Sequence, residues 1–264
     1  MSTARNALLI VAGVAVAVAL AVLPSTFVRS SAATAPGSGT TKAEVEQIVH
    51  NYLLEHPEML QEMASALQMK QQHEADLQRS SVFTEDHDAL FDSPLQVTLG
   101  NPKGDVTLVE FFDYNCTYCR HALEDTNALL KSDPKLRFVL KEFPVLSQAS
   151  KEAAEVAVAV NRIAPEKYLA FHRALLGSDA EATGASAMAV ATGLGIDKAA
   201  LAKELASPTI DRPIRQSLQL ARALSINGTP TYVIGQTVLP GAVGLDALKT
   251  AVANMRTCGK AICS

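Results

Sequence analysis

Two cysteines three residues apart, Cys116 and Cys119, are the side chains whose type and spacing most directly suggest chemistry. They lie in Asn115-Cys116-Thr117-Tyr118-Cys119-Arg120, after an apolar run that reads as a strand and before a helical pattern. A cysteine at such a junction meets unsatisfied backbone N–H groups and the positive end of the helix, and both favour thiolate over thiol. The second cysteine falls one turn down the same face. There it can attack a mixed disulfide formed by the first, or close a small disulfide with it. The competing reading is half of a structural zinc site, which needs four ligands. The other two cysteines, Cys258 and Cys263, sit at the far C-terminus with no histidine beside them. Their reading is a small structural disulfide after the last helix, against a regulatory thiol pair or a metal grip.

The elements that must position these sulfurs are legible around them. Leu95–Leu99 and Val106–Phe112 read as strands, separated by the turn signal Asn101-Pro102-Lys103-Gly104. A helix follows Cys116 to about Lys131, and Leu136–Phe143 is a third strand closed by Pro144. A strand–helix–strand unit of this length predicts a right-handed parallel crossover. Ser147 to about Ser207 carries only helical patterns, broken by Pro165 and by Gly193 and Gly195. One more long helix carries Ile210, Ile214, Leu218 and Ala221. A hairpin follows, Thr231–Ile234 and Gln236–Leu239 about Gly235, and then a last helix from Gly244 to Met255.

Other side chains invite two readings each. Glu110 lies six residues before Cys116 on an otherwise apolar strand, either partly buried with a raised pKa or at a strand edge facing water. Lys141 on the third strand either neutralises Glu110 or is solvated. His121 either modulates the thiolate or lies on the helix surface. Met59, Met63 and Met69 offer soft sulfur for copper or simply pack a core or interface.

The N-terminus addresses the chain. Ala7 to Leu23 is a run of seventeen uncharged residues after Arg5, ended by Pro24 and followed by small residues from Ser30 to Ala35. It reads as a cleaved secretory signal or an uncleaved N-terminal anchor, and either one sends the rest of the chain across the membrane. Thiols in such a compartment can be oxidised. The 264 residues contain 48% hydrophobic residues, enough for a sizeable core, and 23 Lys+Arg against 27 Asp+Glu. That acidic balance argues against a nucleic-acid partner. Residues 36–40 read as a flexible linker. Thr41 and Glu44 form a capping pattern for a helix carrying Val45, Ile48, Val49, Tyr52 and Leu53. The helical pattern runs to Leu77: Pro57 interrupts it, Leu60, Met63, Leu67 and Met69 mark a second helix, and polar Gln71 to Asp86 is expected to link arm to domain. Such a pair has little to bury by itself. It either associates with copies of itself through residues 41–77 or folds back on its own domain.

Asn227-Gly228-Thr229-Pro230-Thr231-Tyr232-Val233-Ile234 completes a pattern. Together with the C-x-x-C site and the helical segment 147–207, it resembles the thioredoxin superfamily over about residues 90–257. Within it the likeness is to the exported DsbA-like disulfide oxidoreductases. The arm, with Ile48-Val49-His50-Asn51-Tyr52-Leu53-Leu54-Glu55-His56-Pro57, is similar to that of ScsC and Com1-type proteins. The resemblance implies an α/β class: a thioredoxin fold with an inserted helical domain, preceded by an N-terminal helical oligomerisation arm. It divides the chain into a leader 1–35, an arm and linker 36–86, and a catalytic domain 87–264. It implies that Thr229 and Pro230 form a cis-proline loop across from the sulfurs, and that Glu110 relays protons for Cys119. No cofactor and no metal are implied. Thr117-Tyr118 departs from the Pro-His of strongly oxidising DsbA and sits nearer the Gly-Tyr of isomerases. The implied activity is therefore isomerisation or reduction of non-native disulfides in exported proteins, as a homo-oligomer served by a membrane redox partner. A dithiol oxidase and a periplasmic copper-binding protein are the alternatives.

Overall fold

The computed structural model describes residues 41–263, so the leader and the linker before Thr41 lie outside the described residues. The chain divides after Pro57 into two units. In the first, helix α1 spans Lys42–Glu55. Its capping box is formed: the Glu44 amide donates to Thr41 Oγ1 at 3.4 Å, and the Thr41 amide donates to Glu44 Oε2 at 2.7 Å. No residue of α1 is buried, and Ile48, Val49 and Tyr52 are each about half exposed.

The second unit opens with helix α2, Met59–Thr84. The helix expected to reach Leu77 runs on to Thr84, so most of the polar segment 71–86 is the continuation of α2. Its Gln, Glu, Leu and Arg residues are good helix formers, and Val82 near its end is fully buried. A π-helical turn, Asp88–Asp92, then sets Leu90 and Phe91 into the core.

Five strands form one sheet in the order β1-β3-β2-β4-β5: β1 Val97–Gly100, β2 Val106–Phe112, β3 Leu136–Glu142, β4 Thr231–Ile234 and β5 Thr237–Pro240. The pair β2–β3 is parallel and joined by helix α3, Thr117–Ser132; the other pairs are antiparallel. Gly104 in the turn before β2 lies so close to the chain entering β3 that a Cβ would meet Lys135 O and Arg137 N at 2.5 Å.

Strand β2 is central, so both of its faces are apolar, and strict alternation sorts its side chains between two cores. Leu108, Phe112, Phe138, Leu140, Tyr232 and Ile234 face helices α3 and α9 (Leu245–Cys258). Val109, Phe111, Val139, Phe143 and Val233 face helix α8 (Arg212–Ala223), Val82 of α2 and the π-helical turn. Between β3 and α8 lies the inserted helical module: α4 Gln148–Ile163, a 3-10 turn Pro165–Lys167, α5 Tyr168–Leu176, α6 Gly184–Gly193 and α7 Lys198–Leu205. The small side chains Ala153, Ala154 and Ala157 let α4 pack closely against its neighbours.

Lys141 needs correcting on both readings. Its register partner Phe111 belongs to the α8 face, whereas Glu110 points to the other one. Lys141 therefore cannot neutralise Glu110, and it is not solvated. It is fully buried, its ammonium donating to the Ala89 carbonyl at 2.9 Å, and burial lowers its pKa to about 7.

Candidate active site

The site forms where β2 ends. Asp113–Asn115 turn the chain, and Cys116, in an extended conformation (φ −83°, ψ 114°), is the N-cap of α3. A capping side chain accepts one of the free amides of the first helical turn. Here that acceptor is sulfur: the Cys119 amide donates to Cys116 Sγ at 3.4 Å. On the other side, the bond between Thr229 and Pro230 is cis. The loop presents the Thr229 carbonyl oxygen 3.1 Å from Cys116 Sγ, as acceptor for the protonated thiol. Both cysteines are reduced and buried, Cys116 at 6% exposure and Cys119 at 0%.

The two sulfurs are driven apart in acidity. The Cys119 thiol, followed by the Thr229 side chain and the amides of Cys119 and Tyr118, stabilises the Cys116 thiolate and lowers its pKa to about 6 against the cost of burial. Burial, and then the hydrogen bond given to Cys116, push Cys119 far above the ordinary thiol value. The arrangement makes Cys116 the candidate nucleophile and keeps the proton on Cys119.

Glu110 lies on the same side of the sheet, beneath the pair. It is 3% exposed, so the reading in which it faces water is corrected. Burial raises its pKa to about 8, opposed by hydrogen bonds from Thr126 and Tyr232. Thr126 Oγ1 donates to Glu110 Oε2 at 3.4 Å. The charges of Glu110 and Cys119 interact, which puts the carboxyl within electrostatic reach of the buried thiol. Sequence reasoning passed over Thr126 and Tyr232. The signal for Thr126 was available, since it lies two helical turns beyond Cys119 on α3; Tyr232 is the register partner of Glu110 across β2–β4, a pairing that only the assembled sheet sets.

The remaining candidates separate from the site. His121 is exposed, its ring 6.4 Å from that of Tyr118. Met63 and Met69 are exposed on α2, and Met59 is half-buried. Cys258 and Cys263 are bonded to each other at the end of α9. There Arg256 reaches Asp105, just before β2, and Asp133, just after α3, so this disulfide lies at the end of the sheet away from Cys116. Among the described residues His87, Asp88 and Asp92 come near enough to share an ion, all exposed, with Asp92 already paired to Arg137. No described helix is long and apolar enough to cross a membrane.

Comparison with known proteins agrees with this geometry. The DSBA-like thioredoxin domain family matches residues 107–253, and the copper resistance protein ScsC N-terminal domain matches residues 42–74. A thioredoxin-like oxidoreductase from Silicibacter pomeroyi DSS-3 is 40% identical, over 65% of this chain and 98% of that one, with a TM-score of 0.62. The thiol-disulfide exchange protein alpha-DsbA2 from Wolbachia pipientis is 29% identical over 69% and 97%, with a TM-score of 0.63. Proteus mirabilis ScsC in a compact conformation is 28% identical over 83% and 99%, with a TM-score of 0.63. Among curated proteins, the Na(+)/H(+) antiporter NhaA 3 of Salinispora tropica is 28% identical over 158 residues, and the match spans only 24% of the antiporter's length. The match at 107–253 covers strands β2 to β5, the crossover helix, the inserted module and the cis-proline loop that build the site, and the chain belongs to the DsbA-like thioredoxin domain family.

Proposed function

We propose that the protein is an exported thiol–disulfide oxidoreductase that reduces or isomerises non-native disulfides in other exported proteins. The observation that carries this is the asymmetry of the sulfurs: a capping Cys116 with its pKa lowered to about 6 beside a fully buried, protonated Cys119. The Cys116 thiolate attacks one sulfur of a client disulfide and expels the other as thiolate, leaving a mixed disulfide along the Thr229–Pro230 loop. In isomerisation a second client thiolate then displaces Cys116. In reduction the ionised form of Glu110, a minority at neutral pH because its pKa is raised to about 8, takes the Cys119 proton, and the resulting thiolate attacks Cys116 Sγ. The client leaves as thiolate, and the Cys116–Cys119 disulfide carries away the two electrons' worth of oxidation. The cycle restarts only when an outside dithiol re-reduces that disulfide, which is the role of a membrane-embedded donor.

A relative from Salmonella described as a periplasmic thioredoxin-like protein supports export. The unburied apolar residues Ile48, Val49 and Tyr52 of α1, within the ScsC-type match, support self-association through residues 41–77. Linked copies hold several sites near one client at high local concentration.

The test is reactivation of scrambled ribonuclease by the full chain and by one lacking residues 36–57, which leaves Val82 of α2 in its core. The full chain should reactivate the substrate as an oligomer, and Cys116→Ser should abolish the activity. A monomeric full chain, or a shortened one that matches it, sinks the isomerase reading. Oxidation of reduced ribonuclease outpacing both activities favours the oxidase instead.

A further inference from the structure

The residue immediately before the nucleophile is held in an unusual way. Asn115 is only half-buried, yet every hydrogen bond its amide makes goes to the inserted helical module. Its Nδ2 donates to the Ala182 carbonyl at 2.9 Å and to Ser150 Oγ at 3.0 Å, and its Oδ1 accepts the Ala182 amide at 2.7 Å. The pairing with Ala182 satisfies both polar groups of one peptide residue, as a neighbouring strand would. Ala182 is 1% exposed and Ser150 is 0% exposed, so neither has water as a substitute partner.

The other flank of the C-x-x-C turn is tied to the same module. Arg120 Nε donates to the Leu176 carbonyl at 3.1 Å. Behind both, Asp113 Oδ1 accepts the Asn115 amide at 2.8 Å, and its Oδ2 accepts the amides of Val145 and Leu146. The backbone entering Cys116 is therefore pinned on three sides. What remains free to turn is the Cys116 side chain, aimed at the Cys119 amide and the Thr229 carbonyl.

We propose that Asn115 is the positioning residue for Cys116, through which the inserted helical module, at Ala182 and Ser150, holds that sulfur over the amides of α3. The module is thereby part of the nucleophile's ionisation and not only a lid or spacer. The inference rests on the exchange chemistry proposed above, but it fails separately from it. Loss of the Asn115 amide strands the Ala182 N–H and C=O, lets water in beside the turn, and allows the sulfur to swing off the helix axis. Hydrogen bonds to charged sulfur weaken steeply with misalignment.

The experiment is the pH profile of Cys116 alkylation by iodoacetamide, with thermal melting, for the parent chain, Asn115→Ala and Ser150→Ala. Ser150→Ala removes from α4 one acceptor of the Asn115 amide, adds no charge and touches neither sulfur. The parent profile should have its midpoint near pH 6; a parent midpoint at the ordinary thiol value overturns the exchange site itself. Given the parent value, Asn115→Ala should move the midpoint up by about one pH unit, a tenfold loss of thiolate at fixed pH below the midpoint. Ser150→Ala should move it in the same direction by less. Variants that melt earlier but keep the parent midpoint overturn the inference, since a merely structural tie lowers stability without changing the acidity of the sulfur. Should Asn115→Ala not fold, an unchanged midpoint in Ser150→Ala overturns it alone.

Discussion

At Cys116 burial and hydrogen bonding pull in opposite directions, and the bonds win, holding the pKa at about 6. A thiol at that value is about nine-tenths ionised at pH 7, which favours the reduced pair by about 1.4 kcal/mol, or about 30 mV, over an unperturbed thiol. Alkylation of the reduced protein should follow one ionisation near pH 6, with Cys119 protected through neutrality; two equally reactive thiols would contradict the site. Glu110 makes the opposite trade. Its carboxyl keeps its proton up to about pH 8 when folded, while the unfolded chain releases it near the ordinary carboxylate value. Between those values the folded state binds more protons than the unfolded one, so Glu110 lowers stability as pH rises. Glu110→Gln keeps the shape and removes that cost. It should be more stable than the parent by an amount growing from near zero below pH 4.5 to a few kcal/mol, on the order of magnitude, at pH 8. It should also slow release of the mixed disulfide by Cys119 while leaving the first attack by Cys116 intact. Denaturant melts across pH and single-turnover trapping check the two halves.

At the scale of the element, the cis-proline loop is launched by a strained helix end. Helix α8 closes with the Ile226 amide on the Ala221 carbonyl at 2.8 Å and the Ser225 amide on the Arg222 carbonyl at 3.0 Å, a Schellman pattern. The residue that must be left-handed is Ser225, at φ 57°, where glycine is usual. Ser225→Gly should stabilise the fold by about 1 kcal/mol without changing the alkylation profile; destabilisation would show that the serine side chain matters more than its backbone strain. At the far end of the sheet, the Cys258–Cys263 loop carries Ala261 into the core, its carbonyl accepting from Asn254 Nδ2 at 2.9 Å. Replacing both cysteines by serine should cost roughly 2 kcal/mol, as expected for so short a loop. Exchange activity below the melting range should be unchanged, because this disulfide lies away from Cys116. Lost activity in a folded variant would make the pair part of the redox cycle.

For the whole molecule, the unit containing α1 presents apolar side chains that it does not bury, among them Ile48 and Tyr52 at 59% and 50% exposure. Ile48→Asp with Tyr52→Asp should lower the mass in solution to that of a monomer and reduce ribonuclease reactivation, while insulin reduction per site persists. An unchanged mass would contradict self-association through α1. Much of this organisation was legible in the residues. The strand–helix junction at Cys116 and Cys119, the apolar strands and the all-helical stretch each show in local periodicity and capping. So did the Thr41–Glu44 cap, because its partners are three residues apart. Lys141 was misjudged, and the helix end placed at Leu77 fell short of Thr84, for a common reason. Whether a lysine on a strand is solvated, or a polar segment is a link, depends on what packs over it from distant parts of the chain. Here that is the π-helical turn at Ala89 and the core around Val82. The sequence by itself determined which sulfurs lie at a strand–helix junction and which backbone elements carry them, since helix capping and strand alternation are short-range. Only the tertiary structure decided the burial that separates the acidities of Cys116, Cys119 and Glu110, and the pairing of Asn115 with Ala182, 67 residues away. Desolvation and long-range hydrogen bonds are properties of the packed chain, and no local pattern encodes them.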